Sequence, residues 1–191
     1  DYISSTISKE LKNKSLMAIL WSVVGILSYI AFAFRKVSRP IASWKYGLGA
    51  IIALIHDITI TVGFFSVFGH FFGIEVGIPF IAALLTILGF SVHDTIVVYD
   101  RTRENLLKSS AKEIFPEIVN RSLNETLARS INTSLTVFIT LIAIYVFGGE
   151  SIRDFSLAII IGIFFGTYSS IFIASALLVT AYKLQLKNKK V

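Results

Sequence analysis

Long apolar blocks separated by short polar stretches set the pattern of this chain. The blocks fall at about Ser15–Phe34, Tyr46–Phe68, Gly77–Val98, Ile131–Phe147 and Phe155–Tyr182. Each has the length, about 20 mostly apolar residues, that a helix needs to cross a hydrocarbon layer roughly 30 Å thick. The pattern therefore predicts an all-α polytopic membrane protein with five transmembrane helices in a domain spanning 15–182. Between Glu104 and Arg129 the chain is polar but periodic, with Ile114, Phe115, Ile118, Val119, Leu123 and Leu127 at helical spacing and Pro116 suited to a first turn. That predicts an amphipathic helix over about 114–129, lying at the membrane interface and feeding into the fourth span. Residues 1–14 are polar and read as a linker from an upstream domain. Residues 183–191 read as a basic tail at the membrane surface.

Composition agrees with this pattern and removes several function classes. Hydrophobic residues make up 54% and charged residues 16% of the 191 positions, outside the range of soluble globular domains. The net charge of +6 does not indicate nucleic-acid binding, because the cations sit in the segments beside the spans. Arg35, Lys36, Arg39 and Lys45 crowd one short loop, which marks the cytoplasmic side. By alternation the Glu104–Arg129 segment and the C-terminus share that side, and the N-terminal end lies outside. The chain has no Cys, and its three His lack ligand-like spacing, so neither a metal nor another cofactor is expected. No nucleophile–base pair suggests an enzyme.

The candidate chemistry is a carboxyl group in an apolar span. Leu88–Arg103 reads L-G-F-S-V-H-D-T-I-V-V-Y-D-R-T-R, placing His93 and Asp94 inside the third block. An Asp at mid-helix costs roughly 2.5–3.5 kcal/mol even on lenient insertion scales, and such residues usually carry or relay ions. Asp94 is the first candidate for that role, with Arg129 as a counter-ion that could be released when a proton arrives. The second block holds a similar pair, His56 and Asp57, with Thr61 one turn further on. Asn132, Thr133, Ser134, Thr167 and Ser169 are candidate hydrogen-bond partners lining a path. Gly162, Gly166 and Ser170 belong to a four-residue stripe of small side chains, suited to close helix packing. Asp100, Arg101 and Arg103 are expected at the cytoplasmic surface.

Three motifs carry a family resemblance. They are Gly89–Glu104, G-F-S-V-H-D-T-I-V-V-Y-D-R-T-R-E; Arg121–Thr136, R-S-L-N-E-T-L-A-R-S-I-N-T-S-L-T; and, within Gly148–Ser175, G-G-E-S-I-R-D-F and G-T-Y-S-S-I-F-I-A-S. With Leu54–Asp57 they resemble the SecF family of protein-export membrane subunits over most of the chain after Tyr46. The resemblance implies one half of a resistance-nodulation-division-like transporter, with six spans and a periplasmic domain after the first. On that template this chain holds the second to sixth spans, and its beginning is the end of the periplasmic domain. The implied partners are SecD, the SecYEG translocon and YajC, with membrane lipids around the spans and an exported unfolded polypeptide met by the periplasmic domain. The implied setting is the inner membrane, and the implied energy source is the proton motive force, with H⁺ and Na⁺ both open as the coupling ion.

Two positions depart from the family pattern. His93 stands where Asn is usual, and Ala176 stands where Pro is usual, which predicts a straighter last span. Two other functions are weighed beside export: a resistance-nodulation-division exporter half for small molecules or lipids, and a passive scaffold.

Overall fold

A computed structural model describes residues 5–34, 40–74, 77–109 and 113–188. The described residues form helices and no strands. The helices are α1 (Ser5–Ala33), α2 (Ser43–Phe72), α3 (Ile78–Lys108), α4 (Phe115–Phe147), α5 (Glu150–Ser169) and α6 (Ser175–Asn188), with a π turn at Ser170–Ala174 joining the last two. Among the described residues five helical stretches are long and apolar enough to cross a membrane, the fifth being α5, the π turn and most of α6 together. The chain is a multi-pass membrane protein.

Local chemistry explains the helix ends. Pro79 and Pro116 sit in the first turns of α3 and α4, where a missing N–H leaves no bond unmade. Gly73 ends α2 at φ 68, a left-handed conformation open to glycine at little cost. Gly148 closes α4, its N–H donating to the Ile144 carbonyl at 2.7 Å.

Helix bounds reach further than the apolar blocks alone indicate. The amphipathic stretch 114–129 does not end before the fourth span, because α4 runs through both as one helix. Nothing between Phe115 and Phe147 interrupts it: Pro116 lies in its first turn, and no other Pro or Gly follows. The polar stretch read as a linker is helical from Ser5, and Glu10 and Lys14 pair across one turn at 2.8 Å. The basic tail is helical as far as Asn188. Arg35, Lys36, Arg39, Lys112, Lys189 and Lys190 lie outside the described residues.

The last span is also not the straighter helix expected from Ala176. The π turn at Ser170–Ala174 interrupts it without proline. Hydroxyl groups tie down its carbonyls: Ser170 donates to Thr167 O at 2.9 Å, Ser175 to Ser170 O at 3.2 Å, and Tyr99 of α3 to Ala174 O at 3.1 Å. Such turns are rare because each holds one residue more than the helix needs. They persist where outside groups compensate them.

Packing puts α3 and the last span at the centre. Half of the most apolar window of each is buried, against 6% for α1. Between helices in lipid, tight packing replaces the hydrophobic drive that water would supply. The interior divides into two apolar clusters. One surrounds Phe34, Tyr46 and Tyr99, with Phe34 stacked on Tyr46 at 5.2 Å and Tyr99 edge-on to both. The other surrounds Phe65, Phe80, Ile87, Ile159 and Ile163. Between them lies a buried polar layer containing Asp57, Ser91, Asp94, Ser134, Ser169 and Ser170.

The two buried tyrosines make a paired prediction. The Tyr99 hydroxyl is bonded, whereas the Tyr46 hydroxyl has no partner among the described residues. Tyr99→Phe is expected to cost roughly 0.6–1 kcal/mol, a fall of about 1–4 °C in Tm in detergent. Tyr46→Phe is expected to cause no fall. Equal Tm values for the two variants would contradict the assignment.

Candidate functional site

The polar layer is built on α3. Asp94 lies near the middle of this helix and is 2% exposed. Ser91 stands three residues earlier on the same inward face, because residues at that spacing stack on one side of a helix. One turn brings each toward a different neighbour. Asp94 faces α4 and α5, while Ser91 faces α2 and α5.

Asp57 of α2 is 0% exposed and tightly held. Its Oδ2 accepts from Ser91 Oγ at 2.5 Å and from Ser169 Oγ at 2.7 Å. Its Oδ1 lies 2.9 Å from His56 Nδ1. The Thr61 hydroxyl donates instead to the Asp57 backbone carbonyl at 2.9 Å. This carboxyl group therefore ties α2 to both α3 and α5, and the half-buried His56 ring, 31% exposed, links it to the outer surface.

Asp94 is held more loosely. Its Oδ2 is 3.3 Å from Thr167 Oγ1 and 3.5 Å from Ser134 Oγ, long for hydroxyl donors, which prefer about 2.7–2.8 Å. Those two hydroxyls pair more closely with each other, at 2.6 Å. Two hydroxyl hydrogens cannot make all three contacts at once, so while Ser134 and Thr167 are bonded to each other only one of them donates to Asp94.

The other sequence candidates separate clearly. Ser134, Thr167 and Ser169 reach the carboxylates. Asn132 is exposed and Thr133 half-buried, and the hydrogen bonds that reach Asp57 and Asp94 among the described residues come from other side chains. His93 faces outward, about 100° around α3 from Asp94. Arg129 is exposed and, among the described residues, not paired with Asp94. It lines a charged cleft of about 330 Å³ between α3 and α4 with Asp100, Arg101, Glu104 and Glu125. In that cleft Arg101 bridges Glu104 and Glu125, each at 2.6 Å, and Asn105 donates to Glu125 at 2.7 Å. Asp100 pairs with Arg103 at 2.8 Å.

The small-residue stripe explains how the layer closes. A Cβ on Gly162 would overlap the Ile87 side chain, and one on Gly166 would come within 3.1 Å of Ser91 Cβ. The two glycines bring α5 against α3 where Ser91, Thr167 and Ser169 converge. Sequence reasoning passed over Ser91 as a partner of Asp57 and did not foresee the π turn. The available signal for Ser91 was its position one turn before Asp94.

Comparison with known proteins settles the family. The model of the family described as "Protein export membrane protein SecD/SecF, C-terminal" matches residues 1–184. The chain belongs to the SecD/SecF family. The SecF subunit of the protein translocase from Thermobaculum terrenum is 54% identical over 178 residues, covering 93% of this chain and 55% of that protein. The SecDF subunit from Thermus thermophilus is 45% identical over 179 residues, covering 93% of this chain and 22% of that protein. A crystal structure titled as SecDF, a translocon-associated membrane protein from a Thermus species, aligns with a TM-score of 0.81 at 44% identity, over 92% of this chain and 23% of that one. A second, of SecDF in a form called super-membrane-facing, gives 0.80 at 43% identity, over 98% and 23%. The chain spans about half the length of the curated SecF relatives it matches. Both carboxylate clusters fall within the region that matches the SecD/SecF family model.

Proposed function

We propose that this chain is the membrane part of a SecF-type half that, with SecD, couples an ion gradient to polypeptide export through the SecYEG translocon, with YajC as a further neighbour. Asp94 is the ion-carrying group, and Thr167 and Ser134 are the hydroxyls that answer its change of charge. The observation that carries this reading is a mid-span carboxyl group buried between three helices and held, among the described residues, by long, exchangeable hydrogen bonds. Asp57, with shorter and more numerous partners, is the fixed station of the pair.

We take H⁺ as the coupling ion, because a buried carboxyl group with two hydroxyl partners can bind and release a proton without further ligands. The charged cleft lies on the side of Asp94 where Arg101, Arg103, Arg121, Lys183 and Lys187 lie, and its lining begins at Val97, three residues beyond Asp94 on α3. That end is the cytoplasmic side of the inner membrane by the bias of its cations, and Arg129, five residues before Ser134 on α4, lines the inner end of the cleft. An exporter of small molecules draws no support from these residues, because the polar layer is filled by its own hydrogen bonds.

Difference infrared spectroscopy on the assembled SecD/SecF complex tests the assignment. A carboxyl band that responds to pH and disappears in Asp94→Asn is the expected result. A spectrum identical in wild type and variant across the pH range would refute it.

A further inference from the structure

The π turn directly follows the residues that contact both carboxylates, and the local sequence there has an unusual property. Thr167, Tyr168, Ser169 and Ser170 carry a hydroxyl at four consecutive positions. In the structure Thr167 serves Asp94, Ser169 serves Asp57, and Ser170 spends its hydroxyl on the Thr167 carbonyl of its own helix. Ser170 is nevertheless fully buried.

A π turn stores one residue beyond what a regular helix needs. If the wide turn moves toward the N-terminus by about one helical turn, each residue it passes takes the place of the residue before it. Ser170 then stands where Ser169 now stands, and Asp57 keeps a serine donor. Thr167 is displaced from Asp94 in the same step.

The packing on either side suits such a joint. Upstream, α5 is fixed in the apolar cluster containing Ile159 and Ile163, and downstream Ala174 and Leu178 are fixed in the other cluster. The turn sits at the boundary, where the Tyr99 hydroxyl holds the Ala174 carbonyl. A local change of register there needs neither cluster to come apart, but it carries Thr167 into the place of Gly166, where a Cβ comes within 3.1 Å of Ser91 Cβ, so Ser91 has to yield in the same step.

We propose that the π turn is a register joint, and that Ser170 is a positioning residue which alternates with Ser169 as donor to Asp57 when the charge on Asp94 changes. This rests on the reading of Asp94 as the ion-carrying group. In a static bundle Ser170 would be a minor intrahelical hydroxyl, whereas in an alternating one it is equivalent to Ser169.

The test uses the full-length protein assembled with SecD and the translocon in vesicles, reading gradient-driven stimulation of translocation per assembled complex. Ser170→Ala is expected to lower that stimulation several-fold, as much as Ser169→Ala does. Removing Phe172, an exposed residue of the π turn, makes a regular helix while keeping the register of both flanks, and is expected to cause a comparable loss. Scaling to assembled complex removes losses that come only from folding. Wild-type stimulation with either Ser170→Ala or the Phe172 deletion overturns the joint. Asp94→Asn, run in parallel, separates the two ideas. Retained stimulation in Asp94→Asn defeats the underlying reading and the joint with it, whereas lost stimulation there with normal Ser170→Ala defeats the joint alone.

Discussion

Asp94→Asn, placed in the full-length protein and assembled with SecD and the translocon, is expected to lose the stimulation of translocation that an imposed gradient gives to wild type. The substitution is nearly isosteric and keeps an oxygen to accept from Thr167 and Ser134, so the bundle should assemble in normal amounts. What it removes is the ability to gain and lose a charge. A unit charge moved through 100 mV supplies about 2.3 kcal/mol, enough to shift a two-state equilibrium on the order of fifty-fold. Without a group that titrates, that bias has nothing to act on. Vesicle translocation with and without a gradient measures this directly, and full stimulation in the variant would assign the chain a passive role.

Gly162→Leu is expected to have the largest structural effect. Even the first added carbon would overlap Ile87, whose branched side chain cannot swing away cheaply. Forcing atoms into a filled core typically costs about 1–3 kcal/mol, and a leucine adds three more carbons to the clash. The α3–α5 seam would open, separating Ser169 from Asp57 and Thr167 from Asp94. The expected readout is loss of most assembled complex, seen by size exclusion in detergent. Ile87→Ala should restore part of it in combination with Gly162→Ala. Normal assembly of Gly162→Leu would show that the seam has slack which the geometry denies. Gly166→Ala makes a milder contrast, since its added carbon presses on Ser91 rather than on a large side chain.

These two sites mark where the sequence was informative and where it was not. Five spans were legible because hydropathy is a local property summed along a window. Both buried carboxylates stood out for the same reason, since an Asp between apolar neighbours needs no tertiary information to be conspicuous. Gly162 and Gly166 were visible as a period. What could not be read was rotation about each helix axis and register between helices. Those decide that Ser134 meets Asp94 while Asn132 faces outward, and that His93 points away from its neighbour's partners. Arg129 illustrates the limit well: proximity in sequence to the fourth span suggested a counter-ion, but its face of α4 leads into the charged cleft. The π turn left no composition signal, because it is held by hydroxyls donated from Tyr99, Ser170 and Ser175 rather than by a proline.

The continuity of α4 has a mechanical consequence. Its 33 residues at 1.5 Å each make a rod of roughly 50 Å, about 20 Å more than the hydrocarbon needs. Ser134 lies deep on that rod and Arg121, paired with Glu113, near its protruding end. A tilt of a few degrees at the membrane centre is thus magnified into a displacement outside it, which makes α4 a lever between the buried charge and whatever docks at its tip.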